Sequence, residues 1–185
     1  MQKYIPNFLS ILRILLAFFF AERTLERDFL SAFMIFLCAA LSDFLDGFLA
    51  RKYNATSSFG AIVDPLADKI LIIVSYGVLC HLNIIIFPVC IVVIGRDVLI
   101  LSTVLLCAVK KIRLTFSPLT ISKINTMLQL LYVILLLSCN CFQINVPFII
   151  ELICRGLVVT FTVFSGAVYA RKYYWIKDAL CKNKR

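Results

Sequence analysis

The sequence is poor in charge, in histidine and in linker-forming residues. Only 16% of its 185 residues are Asp, Glu, Lys or Arg, and it holds one His and one Trp. Soluble domains carry about a quarter charged residues, so a water-facing surface of ordinary polarity is excluded. A single histidine, with no cysteine cluster, argues against zinc. Eight cysteines are present, but Cys38, Cys80, Cys90, Cys107, Cys154 and Cys181 are isolated, and Cys139 and Cys141 make only a C-x-C. Without a C-x-x-C, neither a zinc framework nor a dithiol centre is indicated, and the cysteines read as small apolar side chains. No Gly/Ser-rich linker, internal repeat or low-complexity tract divides the chain, so it reads as one domain over 1–185. Pro6, Asn7 and Arg13 interrupt the first apolar stretch and no small-residue cleavage site follows. Residues 1–20 therefore read as part of the mature protein rather than a signal peptide.

What the chain does have is apolar. Hydrophobic residues make up 62% of it, and the mean hydropathy is +0.99. A chain of this length cannot hide so much apolar surface in one core, so a bilayer must cover it. A spanning helix needs ~20 mostly apolar residues. Six stretches are candidates, at about 8–21, 29–50, 61–80, 84–109, 121–138 and 146–170, the first of them with help from its flanks. The expected fold is all-α, an integral membrane bundle of six transmembrane helices.

The formal net charge is +9, from 19 basic and 10 acidic residues. In a soluble protein this would suggest nucleic acid. Here the basic residues lie between or after apolar runs, which suits anionic lipid headgroups and not nucleic acid. Arg51 and Lys52 fall in the second connection, Lys110, Lys111 and Arg113 in the fourth, and Arg171, Lys172, Lys177, Lys182, Lys184 and Arg185 in the tail. The third and fifth connections hold no Lys or Arg, and the first mixes Arg23 and Arg27 with Glu22, Glu26 and Asp28. The positive-inside rule then puts both termini in the cytoplasm.

Acidic residues inside spans are costly, at roughly 2.5–3.5 kcal/mol for a mid-helix Asp. Asp43, Asp46, Asp64, Asp68 and Asp97 therefore each demand a reason. Asp43 and Asp46 are i,i+3 on the second helix, and Asp64 and Asp68 are i,i+4 on the third, so each pair shares a helix face. Antiparallel packing of these helices would bring four carboxylates together. Their mutual repulsion in low dielectric would be relieved by divalent cations, and all-oxygen ligands suit Mg²⁺ or Mn²⁺. Gly47, Ala50 and Gly60 are small enough to admit a nucleotide or a second helix. Arg51 can grip phosphate bidentately.

These residues form a longer pattern. Asp43, Asp46, Gly47, Ala50, Arg51, Gly60, Asp64 and Asp68 occupy every fixed position of D-x2-D-G-x2-A-R-x8-G-x3-D-x3-D. The chain thereby resembles the CDP-alcohol phosphatidyltransferase family, whose catalytic domain has six transmembrane helices. The resemblance implies two divalent cations, Mg²⁺ or Mn²⁺, held by Asp43, Asp46, Asp64 and Asp68. It implies that Asp68 is also the catalytic base for the acceptor hydroxyl. Asp46, Gly47, Ala50, Arg51 and Gly60 would hold the CDP moiety. The implied reaction moves a phosphatidyl group from CDP-diacylglycerol to an alcohol and releases CMP. The charge rule puts the acidic helix ends on the cytoplasmic face, where a soluble nucleotide would leave. A bacterial inner membrane or its equivalent is the expected location, and a homodimer is the assembly that family members often form.

Three further stretches bear on the acceptor. Pro6-Asn7-Phe8-Leu9-Ser10 with Arg13 resembles the opening of the glycerol-phosphate and phosphatidylglycerol branches. Gly95-Arg96-Asp97-Val98 resembles a segment of eukaryotic-type cardiolipin synthases. Ser122-Lys123-Ile124-Asn125-Thr126-Met127-Leu128-Gln129 resembles S-K-x-N-T-x2-Q of cardiolipin synthases, where phosphatidylglycerophosphate synthases typically read G-K-x-K-T-x2-Q. Asn125 in place of a second lysine suits phosphatidylglycerol, a monoanionic diester, better than dianionic glycerol 3-phosphate. Phosphatidylglycerol is thus the expected acceptor and glycerol 3-phosphate the alternative, with Arg96 and Lys123 as acceptor-binding candidates. Bland readings stand beside these. Asp97 with Arg96 could be an ion pair that only fixes packing, Lys123 could snorkel, and Trp175 with Tyr173 and Tyr174 reads as an interfacial anchor. An ion-coupled transporter is the rival class, though no repeated halves are visible.

Overall fold

The computed structural model describes the backbone of residues 5–53, 60–109 and 120–182, and the side chains of residues 11–42, 69–102 and 121–171. It consists of α1 (Ile5–Leu25), α2 (Phe29–Tyr53), α3 (Gly60–His81), α4 (Phe87–Val109), α5 (Thr120–Phe142) and α6 (Phe148–Lys182). No strand occurs among the described residues. The all-α class and the six helices match the sequence reading. Two stretches, Ile121–Phe142 and Phe148–Arg171, are long and apolar enough to cross a membrane within the described residues. Phe29–Ser42 and Lys69–His81 are shorter apolar stretches.

Several boundaries move. α1 extends four residues past Ala21, because Glu22 and Arg23 end the apolar run without ending the helix. α4 begins at Phe87, not 84, because Ile84 and Ile85 complete the turn that closes α3. α6 continues to Lys182, giving 35 residues, about 52 Å at ~1.5 Å per residue.

Three connections reverse the chain by one device. Arg27, Asn83 and Gln143 have φ of 62°, 58° and 53°, the left-handed cap conformation. After α1, Asp28 N donates to Arg23 O at 3.0 Å and Arg27 N to Thr24 O at 3.0 Å. After α3, Ile84 N donates to Leu79 O at 2.9 Å and Asn83 N to Cys80 O at 3.0 Å. After α5, Ile144 N donates to Cys139 O at 3.0 Å. These bonds satisfy terminal carbonyls that have no partner within the helix. Asp28 also caps α2, accepting Ser31 N at 3.2 Å. The bonds from Ser31 hold the Asp28 carboxyl below its ordinary value of 3.8.

Helix contacts close into a ring. α1 packs on α2 and α3, α3 on α4, α4 on α6, α6 on α5 and α5 on α2, while α3 and α5 also touch across the middle. Ala17, Ala32 and Ala39 are fully buried and allow close approach between α1 and α2. There the rings of Phe20 and Phe36 pack at a tilt of 53° with centroids 5.4 Å apart. Leu71, Ile72, Tyr76 and Leu79 carry the core along α3. Outside, Phe18, Phe87, Phe148 and Ile149 are more than 60% exposed. Hydroxyls within helices bond their own backbone: Thr24 Oγ1 donates to Phe20 O at 2.7 Å and Ser75 Oγ to Leu71 O at 2.6 Å. That satisfies polar groups where water is absent.

Candidate active site

The eight motif residues lie on consecutive helices. Asp43, Asp46, Gly47, Ala50 and Arg51 fall in the second half of α2, and Gly60, Asp64 and Asp68 in the first half of α3. Their side chains lie outside the described residues. The helical backbone keeps the two carboxylate pairs at the i,i+3 and i,i+4 registers that the sequence predicts. α1 packs on both helices and so ties them together. Among the described residues no group of three or more His, Cys, Asp or Glu could hold a metal ion. The donor chemistry of the four motif aspartates, hard oxygens on two consecutive helices, fits a divalent cation such as Mg²⁺ or Mn²⁺.

One turn further along the bundle, the described side chains form a buried polar cluster drawn from four helices. Its centre is Arg96-Asp97 on α4. Asp97 is fully buried and Arg96 is 5% exposed. Lys69 Nζ, from α3, donates to Asp97 Oδ1 at 3.0 Å. Arg96 Nη1 donates to the same oxygen. Arg96 Nη2 donates to Ser122 Oγ of α5 at 2.7 Å and to Ser165 Oγ of α6 at 2.8 Å. Arg96 Nε and Asp97 Oδ2 have no protein partner. Gly166 lies against the arginine stem, where a Cβ would make ordinary van der Waals contact with Arg96 Cγ at 3.5 Å.

A second polar group lies one turn along the α5–α6 seam. Asn125 and Thr162 stand three residues from Ser122 and Ser165 on the same helices, and both are fully buried. Thr162 Oγ1 donates to Asn125 Oδ1 at 3.0 Å and accepts from Gln129 Nε2 at 3.3 Å. Tyr76 OH of α3 reaches the Gln129 carbonyl at 3.3 Å. Asn125 Nδ2 and Gln129 Oε1 remain without a protein partner. A network of this kind is costly to leave half-satisfied in low dielectric. In the Arg96–Asp97 cluster, replacing the charged members together with apolar ones of similar volume would often cost nothing in stability.

Arg96, expected as an acceptor-binding residue, thus sits in the bundle interior with both terminal nitrogens engaged. Lys123, the other candidate, is exposed on α5. Asn125, chosen from sequence as the discriminating residue, is buried against α6. Arg13 is only 2% exposed on α1. His81 is exposed at the end of α3. The six described cysteines are free, and Cys90 is buried, so the small-apolar reading holds for it, whereas Cys38 is exposed. Lys69 escaped the sequence reading, although a lone cation in the apolar run after Asp68 was a usable signal. Ser165, Thr162 and Gly166 carry no such signal. Glu151 and Arg155 make an i,i+4 pair at 3.5 Å on α6 that was likewise unforeseen.

The profile described as CDP-alcohol phosphatidyltransferase matches residues 3–169. The CMP-forming cardiolipin synthase of Homo sapiens is 34% identical over 186 residues, covering 92% of this chain and 60% of that protein. The CDP-diacylglycerol–glycerol-3-phosphate 3-phosphatidyltransferase of Rickettsia felis is 32% identical over 183 residues, 94% of this chain and 98% of that one. The enzyme of that name from Aquifex aeolicus is 47% identical over 66 residues, 36% of this chain and 37% of that one. The chain spans about 60% of the length of the mammalian cardiolipin synthases that it matches.

Proposed function

The chain belongs to the CDP-alcohol phosphatidyltransferase family, and on that footing we propose that it transfers the phosphatidyl group of CDP-diacylglycerol to phosphatidylglycerol, forming cardiolipin and CMP. The observation that carries this reading is the complete eight-position motif running along α2 and α3. We read the whole chain as one catalytic domain. All six helices have at least 21 residues, enough at ~1.5 Å per residue to cross a hydrocarbon core of ~30 Å. That supports a six-span, multi-pass protein, with the termini and motif on the cytoplasmic side as the loop charges require.

The four aspartates would hold two divalent cations, Mg²⁺ or Mn²⁺, which when bound supply charge neutralisation at the pyrophosphate. Asp46, Gly47, Ala50, Arg51 and Gly60 would seat the CDP moiety, Arg51 through its planar donors. Asp68 accepts the proton of the acceptor hydroxyl. The acceptor oxygen forms a bond to the phosphorus that bears diacylglycerol, and the bond from that phosphorus to CMP breaks. Arg96 and Lys123 are the cations proposed for the acceptor phosphate.

The neutral amide of Asn125 in the buried seam supports phosphatidylglycerol, because a lysine there would add charge suited to a dianion. A second reading, with glycerol 3-phosphate as acceptor, is supported by the near full-length match to the Rickettsia felis enzyme. Purified protein given CDP-diacylglycerol with either acceptor, and with myo-inositol phosphate and serine as controls, tests both through the lipid product. Cardiolipin is the expected product. Phosphatidylglycerophosphate would select the second reading, and solute flux in vesicles without CMP release would select a transporter. Asp68→Asn is expected to abolish turnover while leaving CDP-lipid binding partly intact, and full activity in that variant would remove Asp68 from the role of base.

A further inference from the structure

Asp97 belongs to none of the roles assigned so far. It is a fully buried carboxylate at the meeting point of stretches that the sequence marks for different reasons. Lys69 follows Asp68 at the end of the catalytic motif. Arg96 comes from the G-R-D-V segment. Ser122 opens the S-K-I-N-T segment. All are joined through Asp97 and its neighbour Arg96.

A purely structural contact at this place had cheaper solutions. A buried ion pair is often no more stabilising than apolar residues of the same volume, and in a bilayer interhelical polar bonds add only modestly to association. What charged bonds supply is direction. The Lys69 ammonium is held at 3.0 Å from Asp97 Oδ1 with its side chain 13% exposed, so the bond is shielded from water. Consecutive helical residues are about 100° apart. Fixing Lys69 against α4 therefore fixes the rotation of α3 about its axis at Asp68 as well. At the other end, Arg96 is held by α5 and α6 through Ser122 and Ser165.

We infer that Asp97 is a positioning residue for the proposed transfer: by binding Lys69 and Arg96 at once, it sets the rotation of the Asp68-bearing helix against the helices that carry the acceptor-discriminating segments. The inference rests on the reading of Asp68 as the base. Transfer rates are steep in geometry, and a misplacement of about 1 Å can cost on the order of 100-fold. Loss of Asp97 should thus lower turnover without removing the CDP-diacylglycerol site on the motif.

The experiment uses the full chain in detergent or vesicles of phosphatidylglycerol and phosphatidylcholine. It counts CDP-diacylglycerol sites per molecule by equilibrium binding, and measures turnover per occupied site for wild type, Asp97→Asn, Lys69→Met and the double variant. Asp97→Asn is expected to keep the wild-type number of sites and lose at least about tenfold in turnover per site. Lys69→Met should lose turnover in the same way. Added to Asp97→Asn, it should cost less than it does alone, because the two variants share the Lys69–Asp97 contact. A merely structural role would instead lower the number of sites and leave turnover per remaining site unchanged. That pattern, wild-type turnover per site in Asp97→Asn, or losses that multiply in the double variant, would overturn the inference. Should Asp97→Asn fail to fold, Lys69→Met decides alone, and unchanged turnover per site in it is fatal. A wild-type protein that releases no CMP with any acceptor is a different failure. It would sink the transferase reading and this inference together.

Discussion

At Gly166 the chain has no side chain where Arg96 passes. An added Cβ would lie 3.5 Å from Arg96 Cγ and 3.9 Å from its Cβ, ordinary van der Waals contact. Alanine should therefore fit, and removing a glycine from a helix interior stabilises by roughly 0.5–1 kcal/mol. Gly166→Ala is expected to unfold at higher denaturant with turnover within about twofold of wild type. Gly166→Leu must push the arginine stem aside and should break its bonds to Ser122 and Ser165, lowering both stability and turnover. Denaturant unfolding in detergent micelles, with the CMP-release assay on the same samples, reads both. Such a residue was not legible in the sequence, since a glycine in an apolar run announces neither packing nor function. The four motif aspartates stood out for the opposite reason. The cost of an Asp in an expected span is high enough that each required an explanation. Arg96 and Asp97 were visible by the same logic, but their partners 26 and 69 residues away from Arg96 depend on how helices pack. No local pattern encodes that.

Helix ends obey a different chemistry from helix faces. Hydropathy located all six helices, because each carries an apolar run, but it misjudged ends at which backbone hydrogen bonding decides. α6 runs on past its apolar part, and α4 waits for the turn that closes α3. The turns themselves use Arg27, Asn83 and Gln143 at positive φ, where glycine is the usual residue and only asparagine among these three is readily tolerated. No glycine stands at any of these three positions, so the usual signal of such a cap is missing from the sequence. Gln143 is exposed and makes no described side-chain contact that a substitution would sacrifice. Gln143→Gly should relieve about 1 kcal/mol of left-handed strain, offset in part by the extra freedom of glycine in the unfolded chain. The expected result is a small rise in stability with unchanged turnover, read by thermal unfolding in detergent. The same change at Asn83 should gain less. Equal gains at both positions would show that strain at the cap is not what the substitution removes.

Across the whole molecule, the ring of contacts gives each helix two neighbours, α3 and α5 touch across it as well, and the polar cluster falls on α3, α4, α5 and α6. Large apolar side chains such as Phe18, Phe148 and Ile149 stand on the outside, an inversion of water-soluble packing that lipid tails can tolerate. Under the proposed six-span alternation, the capped reversals after α1, α3 and α5 would lie at one end and the two longer connections, 54–59 and 110–119, at the other. The basic residues Lys52, Lys110, Lys111 and Arg113 flank or lie in those longer connections. Loop charge and motif placement thus favour one orientation from separate residues. In a chain whose cysteines have been replaced, a single cysteine at Asn83 should react with a membrane-impermeant maleimide from outside intact cells. A single cysteine at Lys111 should react only in inverted vesicles. The first labels the short capped end, the second the end at which the proposed release of CMP would take place. Labelling of both from the same side would break the six-span alternation, and labelling in the reverse sense would put the nucleotide product on the wrong face of the membrane.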